Sequence, residues 1–304
     1  LKDGRMVSHP RNQFADLMDR PHCEQDETVG VVGAADEAGN LRGCIVNFPC
    51  HGTTGLGAGG LASSDWIHFL RAALKGVFGD DFGVAFVNGA CGDITQVDNT
   101  APADYVQGGP IAARRVGMTV AGEAQEVLVQ MGFVEHARVQ GARNTIMLQP
   151  REITQEMLDW AHAHLDSDEQ VEGRWFPDKT WAREWIELDR INREEPQIPA
   201  EVQALTIGHA AFVSNPGEYF CKLAMDIKRG SKFQPTFPVS LANGIVGYVA
   251  TEESYAETYL PKEGEAFTGG YETTPARSSR VAPGSGEQIA AACIEVANSL
   301  ELPG

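Results

Sequence analysis

Two apolar runs that each end in a loop of small and reactive residues constrain this chain more than any other feature. The first run, Cys44-Ile45-Val46-Asn47-Phe48, stops at Pro49-Cys50-His51-Gly52-Thr53-Thr54. A glycine-rich stretch, Gly55 to Gly60, then leads to Ser63-Ser64-Asp65 and a helical pattern over Trp66 to Val77. The second run, Phe82 to Val87, ends at Asn88-Gly89-Ala90-Cys91-Gly92-Asp93-Ile94-Thr95. Apolar runs this short, separated by a helix-length segment, predict two buried strands joined through a helix. In open α/β sheets ligands bind at the carboxyl ends of such strands. His51 and the Gly89–Thr95 loop are therefore expected at one site.

The remaining chain repeats this layout. Asp36-Glu37-Ala38-Gly39-Asn40 reads as a hairpin turn between Val29–Gly33 and the strand ending at Phe48. Residues 96–110 read as loop, and an amphipathic helix is expected from about Arg114 to Met131, with Val116, Val120, Ala124, Val127 and Leu128 on one face. A strand of alternating polar and apolar residues is expected over 133–149. The charged region 153–195 reads as two helices around a Gly173–Pro177 break. Within it Trp181, Trp185, Leu188 and Ile191 predict a core stripe closing the helical pair over the domain, with a lid over the active site as the second reading. After a Pro196–Pro199 linker, Val202–Gly208 and Ala210–Ser214 form a hairpin that delivers Asn215-Pro216-Gly217-Glu218 into a turn. A strand over Phe237–Ile245 leads to Gly247-Tyr248-Val249, and a last helix runs from Gly286 to about Leu300. The expected fold is α/β: a mixed β-sheet core flanked by helices, one catalytic domain over 1–304, with 153–195 as a helical insertion or lid.

The totals narrow the partners. A net charge of −18 repels phosphate backbones, which argues against nucleic acid, and suits a site that concentrates divalent cations. No apolar run approaches the ~20 residues of a membrane span. The six cysteines show no C-x-x-C pair or zinc-finger spacing, so they read as reduced thiols and a cytoplasmic setting is expected.

Four strand ends carry His51, Asp93 with Thr95, Glu218, and Tyr248. One imidazole, one carboxylate and one phenol suit Zn²⁺, which takes N and O ligands. Each residue also has a plain structural reading: a hydrogen-bonded loop His, a Glu set against a helix N-terminus, a packed Tyr. Asp65 and Asp93 read equally as capping or turn residues, with capping preferred for Asp65. His162 and His164 lie two apart on a predicted helix and point to different faces. No Gly-Lys-Ser/Thr follows the Gly55–Gly60 loop and no Gly-x-Ser-x-Gly elbow occurs. Ser63, Ser64 and Thr95 stand as alternative nucleophiles without a sequence-local base.

Four ordered segments resemble the catalytic domain of the neutral (non-lysosomal) ceramidase family. Gly39 through Thr53 resembles the strand that ends in a zinc-binding His, here His51. Phe86 through Thr95 resembles the family's Gly-Asp-Val-Ser-Pro-Asn loop, with Thr95 in place of its Ser. Asn215-Pro216-Gly217-Glu218 resembles the Pro-Gly-Glu turn whose Glu binds zinc. Tyr248 through Tyr255 resembles the Tyr-x-Thr-x-x-Glu-Glu-Tyr segment whose first Tyr is a further ligand. Gly270-Tyr271-Glu272 is similar to an Arg-Tyr-Glu whose Tyr lies in the active site. The resemblance implies zinc held by His51, Glu218 and Tyr248, with Tyr271 and Arg11 (Arg5 as a poorer match) stabilising an oxyanion. It implies Thr95, Asp93 and the backbone N–H groups of Gly89–Asp93 as the wall. Nothing in 1–304 matches the family's early His-Thr-His-Ser-Gly-Pro motif. A further His is thus expected from a segment upstream of Leu1 or from another chain, a homo-oligomer being one such source. The function implied is hydrolysis of a small-molecule or lipid-like amide by metal-activated water. The alternatives are a covalent Thr95 or Ser64 hydrolase, and a binding or scaffold relative without a complete metal site.

Overall fold

The computed structural model describes residues 1–10, 12–55, 62–102, 104–169, 176–257 and 269–303. Its first layer is built from local pairing. Strands β1 (Gly30–Ala35) and β2 (Leu41–Phe48) form the expected antiparallel hairpin. The Asp36 carboxylate closes it by accepting from the main-chain N–H groups of Ala38 and Asn40, while Gly39 takes φ 82°. Helix α1 (Trp66–Phe78) then crosses to β3 (Gly83–Asn88), which pairs parallel to β2 in register from Gly43–Gly83 to Phe48–Asn88. Both strands therefore end at one level, and His51 emerges beside the loop that follows Asn88. Capping is the role the structure gives Asp65: its carboxylate accepts from Trp66 N at 2.8 Å and from the Thr54 hydroxyl.

Helix α2 (Gly109–Gln130) starts five residues before the expected Arg114, because Pro110 occupies the first turn, where a missing N–H costs nothing. Its buried face is made of small residues, Ala113, Gly117, Ala121 and Ala124, with Val120 and Leu128, while Val127, expected on that face, is exposed. Gly117 explains the choice: a Cβ there would fall 2.3 Å from the Trp66 carbonyl oxygen, so only glycine lets α2 lie this close to α1. Together α1 and α2 cover β1–β3 through Val46, Trp66, Leu70, Leu74, Val120 and Leu128.

The mixed α/β expectation holds, but among the described residues the strands divide into three ladders rather than one core sheet. The second ladder begins with β4 (Val139–Leu148). Helices α3 (Gln155–Ala163) and α4 (Asp178–Glu194) follow; the break between them lies largely outside the described residues. Trp181, Trp185 and Leu188 are buried, as a core stripe requires. Strand β5 (Ile198–Ile207) absorbs the second half of the expected Pro196–Pro199 linker and pairs with β4 on one side and β6 (Ala210–Ser214) on the other. Along β5, Ile198, Ala200, Val202, Ala204 and Thr206 are buried, the period-2 pattern of a sheet packed on one face.

Strand β7 (Gly217–Tyr219) leads into helix α5 (Cys221–Gly230). The strand expected over Phe237–Ile245 is cut in two: β8 (Thr236–Val239) joins β6, and β9 (Gly247–Val249) joins β7. Between them Leu241 (φ 56°) and Asn243 (φ 62°) take backbone conformations a strand cannot hold. After the short α6 (Glu252–Glu257), α7 (Ser285–Ser299) lies across β4, β5 and β6 and packs on α5. The two halves are tied where Asn47 Nδ2 donates to the Pro238 carbonyl at 3.1 Å and Ser240 N donates to the Asn88 carbonyl at 3.0 Å. Among the described residues no helix is long and apolar enough to cross a membrane.

Candidate active site

Two independent parallel pairings build the site. On one side β2 and β3 bring His51 against the 89–95 loop, with His51 N donating to the Ile94 carbonyl at 3.3 Å. The Trp66 indole N–H donates to the His51 carbonyl at 2.9 Å, so α1 fixes this residue from behind. On the other side β7 and β9 pair with Glu218 directly beside Tyr248. Parallel register neighbours send their side chains to one face. Gly92 N donates to the Tyr219 carbonyl at 2.9 Å and joins the two sides.

The result gathers four of the expected residues. His51 Nε2 lies 3.7 Å from Glu218 Oε2, both side chains about one-fifth exposed. The His51 and Tyr248 rings are 6.4 Å apart and the Tyr248 and Tyr271 rings 5.6 Å apart, both edge-on. Tyr248 thus has Glu218 as its neighbour across the β7–β9 pair and Tyr271 against its ring. Burial depresses the His51 pKa against the pull of Glu218, so the imidazole is neutral at pH 7 and keeps a lone pair. Burial also raises both phenols, Tyr271 to about 12.

The donor set suits a divalent ion. At 3.7 Å the His51 and Glu218 atoms are too far apart for a hydrogen bond, and both are lone-pair donors. A tetrahedral zinc with bonds of about 2.1 Å spaces its ligands by roughly 3.4 Å. Among the described residues no group of three or more His, Cys, Asp and Glu side chains gathers around one point. Any ion here would therefore depend on the Tyr248 phenol as its third donor.

Other expected residues sit apart from this cluster or serve it differently. Asp93 accepts from Cys221 N at 2.7 Å and from the Cys23 thiol at 3.1 Å; its carboxylate anchors the start of α5. Thr95 donates to Gln96 Oε1 at 2.9 Å and lies 3.5 Å from the Thr53 hydroxyl. Ser64 is exposed ahead of α1. The N–H groups of Gly89 and Gly92 are spent on the Phe48 and Tyr219 carbonyls, so these two hold strands together rather than face a ligand. Arg11 lies outside the described residues. Arg5 is paired with Asp3 and lies over the Phe14 ring.

Two contributors escaped the sequence. Cys91 Sγ stands 3.8 Å from His51 Nδ1 and accepts from Asn88 Nδ2 at 3.1 Å, which holds the imidazole so that Nε2 faces Glu218. Its only sequence signal was its place in the loop after β3. Helix α4 supports the Tyr248 side: Trp185 Nε1 donates to the Pro275 carbonyl at 3.0 Å, and Arg277 pairs with Glu184. The segment so held gives the Ser278 carbonyl to Tyr248 N at 2.7 Å.

No protein-family profile matches the chain, and no curated protein does. Solved structures do. The crystal structure of neutral ceramidase from Pseudomonas aeruginosa superposes with a TM-score of 0.61 at 16% identity, over 99% of this chain and 52% of that one. A ceramidase structure described as complexed with C2 gives 0.61 at 14% identity, over 100% of this chain and 53% of that one. The chain spans about half the length of these structures. Across its own length, then, it has a ceramidase-like fold.

Proposed function

We propose that this chain is an amide hydrolase that acts with a bound divalent ion, most simply zinc, on an N-acyl substrate. The observation that carries this reading is the convergence of His51, Glu218, Tyr248 and Tyr271 from two separate parallel pairings. The ceramidase-like fold supports it. His51, Glu218 and Tyr248 would hold the ion. When bound, zinc lowers the pKa of a water toward ~7 and polarises a carbonyl.

The chain's own residues supply the rest. Cys91 holds the neutral His51 ring in place. Tyr271, a phenol kept protonated by burial, can donate a hydrogen bond where negative charge develops on the carbonyl oxygen. Glu218 can take a proton from the attacking water or bind the ion, since its carboxylate faces the same gap as His51 Nε2. Thr95 has Gln96 and Thr53 at its hydroxyl, neither of which is a base, and this favours water over Thr95 as nucleophile.

The test is zinc content and turnover of the purified chain on a fluorogenic N-acyl amide. About one zinc per chain is expected, with loss of binding and turnover in His51→Ala and Glu218→Gln. A chain that binds no zinc and whose His51→Ala variant behaves as wild type would be a binding or scaffold protein instead.

A further inference from the structure

The face of α2 turned away from α1 carries apolar side chains that the described residues leave uncovered. Ile111 is 68% exposed, Met118 50% and Val129 62%. Met118 and Val129 follow Ile111 by seven and eighteen residues, close to two and five turns of helix, so all three lie on one stripe. On the opposite face Ala113, Gly117, Val120 and Ala124 are buried.

The stripe is symmetric about its middle. Ile111 and Val129 lie nine residues on either side of Val120, and Met118 and Gly122 two on either side. The polar flanks share that centre. Arg115 precedes it by five residues and Glu126 follows it by six; Arg114 precedes it by six and Gln125 follows it by five. At about 100° per residue, Arg115 and Glu126 fall on one flank of the stripe, and Arg114 and Gln125 on the other.

A two-fold axis at the level of Val120 would lay a second α2 antiparallel on the first and set each flank against the same flank of its copy. Ile111 then meets Val129 of the second copy, and the flexible Met118 meets the open position at Gly122. Arg115 meets Glu126, and Arg114 meets the Gln125 amide oxygen. A parallel pairing would instead set Arg115 against Arg114, so charge selects the antiparallel one. Arg115 is already ordered: its Nη2 donates to the Val106 carbonyl at 2.9 Å, and the guanidinium lies 4.3 Å over the Tyr105 ring. Less side-chain freedom is therefore lost on pairing. An anionic lipid surface is a poorer occupant, because the chain carries a net charge of −18 and Glu123 and Glu126 are exposed on this helix.

We propose that α2 is a homodimer interface: two copies pack antiparallel across the Ile111–Met118–Val129 stripe, with Arg115 of each paired to Glu126 of the other.

The test is sedimentation velocity of the full chain from about 1 to 100 µM in ~0.15 M salt, which screens the repulsion between two acidic chains. The mass should rise toward twice that of one chain, and Met118→Glu should keep it monomeric. Arg115→Glu and Glu126→Arg each place like charges across the interface and should weaken association roughly tenfold or more. Mixed one to one, these two variants regain opposite charges at both contacts, and the mixture should associate as wild type does. A role confined to the single chain would not give that recovery. Circular dichroism checks that each variant folds. Should Arg115→Glu not fold, Arg115→Ala takes its place in the mixture, where one Arg115–Glu126 contact survives. A wild-type chain that stays monomeric up to about 100 µM overturns the interface, as does a mixture that associates no better than its components. Flotation with neutral phosphatidylcholine vesicles separates the other occupant: binding by a monomeric wild type that is lost in Met118→Glu would assign the stripe to a lipid surface and overturn the dimer.

Discussion

Replacing Gly92 by Ala probes the joint between the two halves of the site. A Cβ at Gly92 would lie 2.3 Å from the Glu218 carbonyl oxygen, 2.8 Å from its carbonyl carbon and 3.0 Å from Phe220 Cδ1. Two of these atoms are backbone and cannot swing aside, so the loop and β7 must separate. Separation weakens the bond from Gly92 N to the Tyr219 carbonyl, now 2.9 Å. Overpacking of this kind costs about 1–3 kcal/mol and the lost hydrogen bond about 1 kcal/mol, so about 2–4 kcal/mol is expected. For a chain of 304 residues that lowers Tm by roughly 3–6 °C. Gly122→Ala is the matched control. Gly122 lies within α2 with nothing inside 4 Å of its would-be Cβ, and Ala there should stabilise by about 0.5–1 kcal/mol. Urea and thermal unfolding followed by circular dichroism measure both. Zinc titration should show weaker binding in Gly92→Ala only, because Glu218 moves with β7. A Gly92→Ala variant within about 0.5 kcal/mol of wild type would refute the claim that this contact is backbone-limited.

Asp65→Ala removes the acceptor for Trp66 N and for the Thr54 hydroxyl at a buried position. A loss of about 2–3 kcal/mol is expected in denaturant unfolding, partly recovered by Asn, which still offers an oxygen. The Glu184–Arg277 pair gives a pH test. The Arg277 hydrogen bond holds the Glu184 pKa below its ordinary 4.5 in the fold. Its contribution is therefore complete above about pH 4.5 and is lost as pH falls through the lower folded value. Because Arg277 is more than half exposed, solvent limits the effect to about 0.5–1 kcal/mol. Glu184→Gln should be less stable than wild type at pH 7 and equal to it at strongly acid pH; a constant gap would locate the effect elsewhere.

Much of this site was legible in local pattern. The Asp36–Asn40 turn, the two apolar runs and the helix between them follow from periodicity and turn chemistry, which act over a few residues. Those same elements place His51 and the 89–95 loop at one level, and the Pro-Gly-Glu and Tyr248 segments marked the other ligand candidates. The division into three ladders was not legible. β7 and β9 are only three residues long, too short to show a period, and their pairing spans the whole of α5 and β8. The strand expected over Phe237–Ile245 broke where Leu241 and Asn243 take positive φ; Asn243-Gly244 is a turn dipeptide that carries this signal, whereas nothing about Leu241 announces it.

By itself the sequence determined the β-α-β unit that carries His51, the acceptor turns, and a short set of residues able to bind a cation or donate to an oxyanion. Only the tertiary structure decided which of them meet. Glu218 reaches His51 through a glycine whose backbone contact no local pattern predicts, Asp93 is drawn away to the start of α5, and Cys91 is recruited behind His51. The physical reason is that hydrophobic period encodes which face of an element is buried. The partner a polar side chain finds is set by register and close approach between segments far apart in the chain.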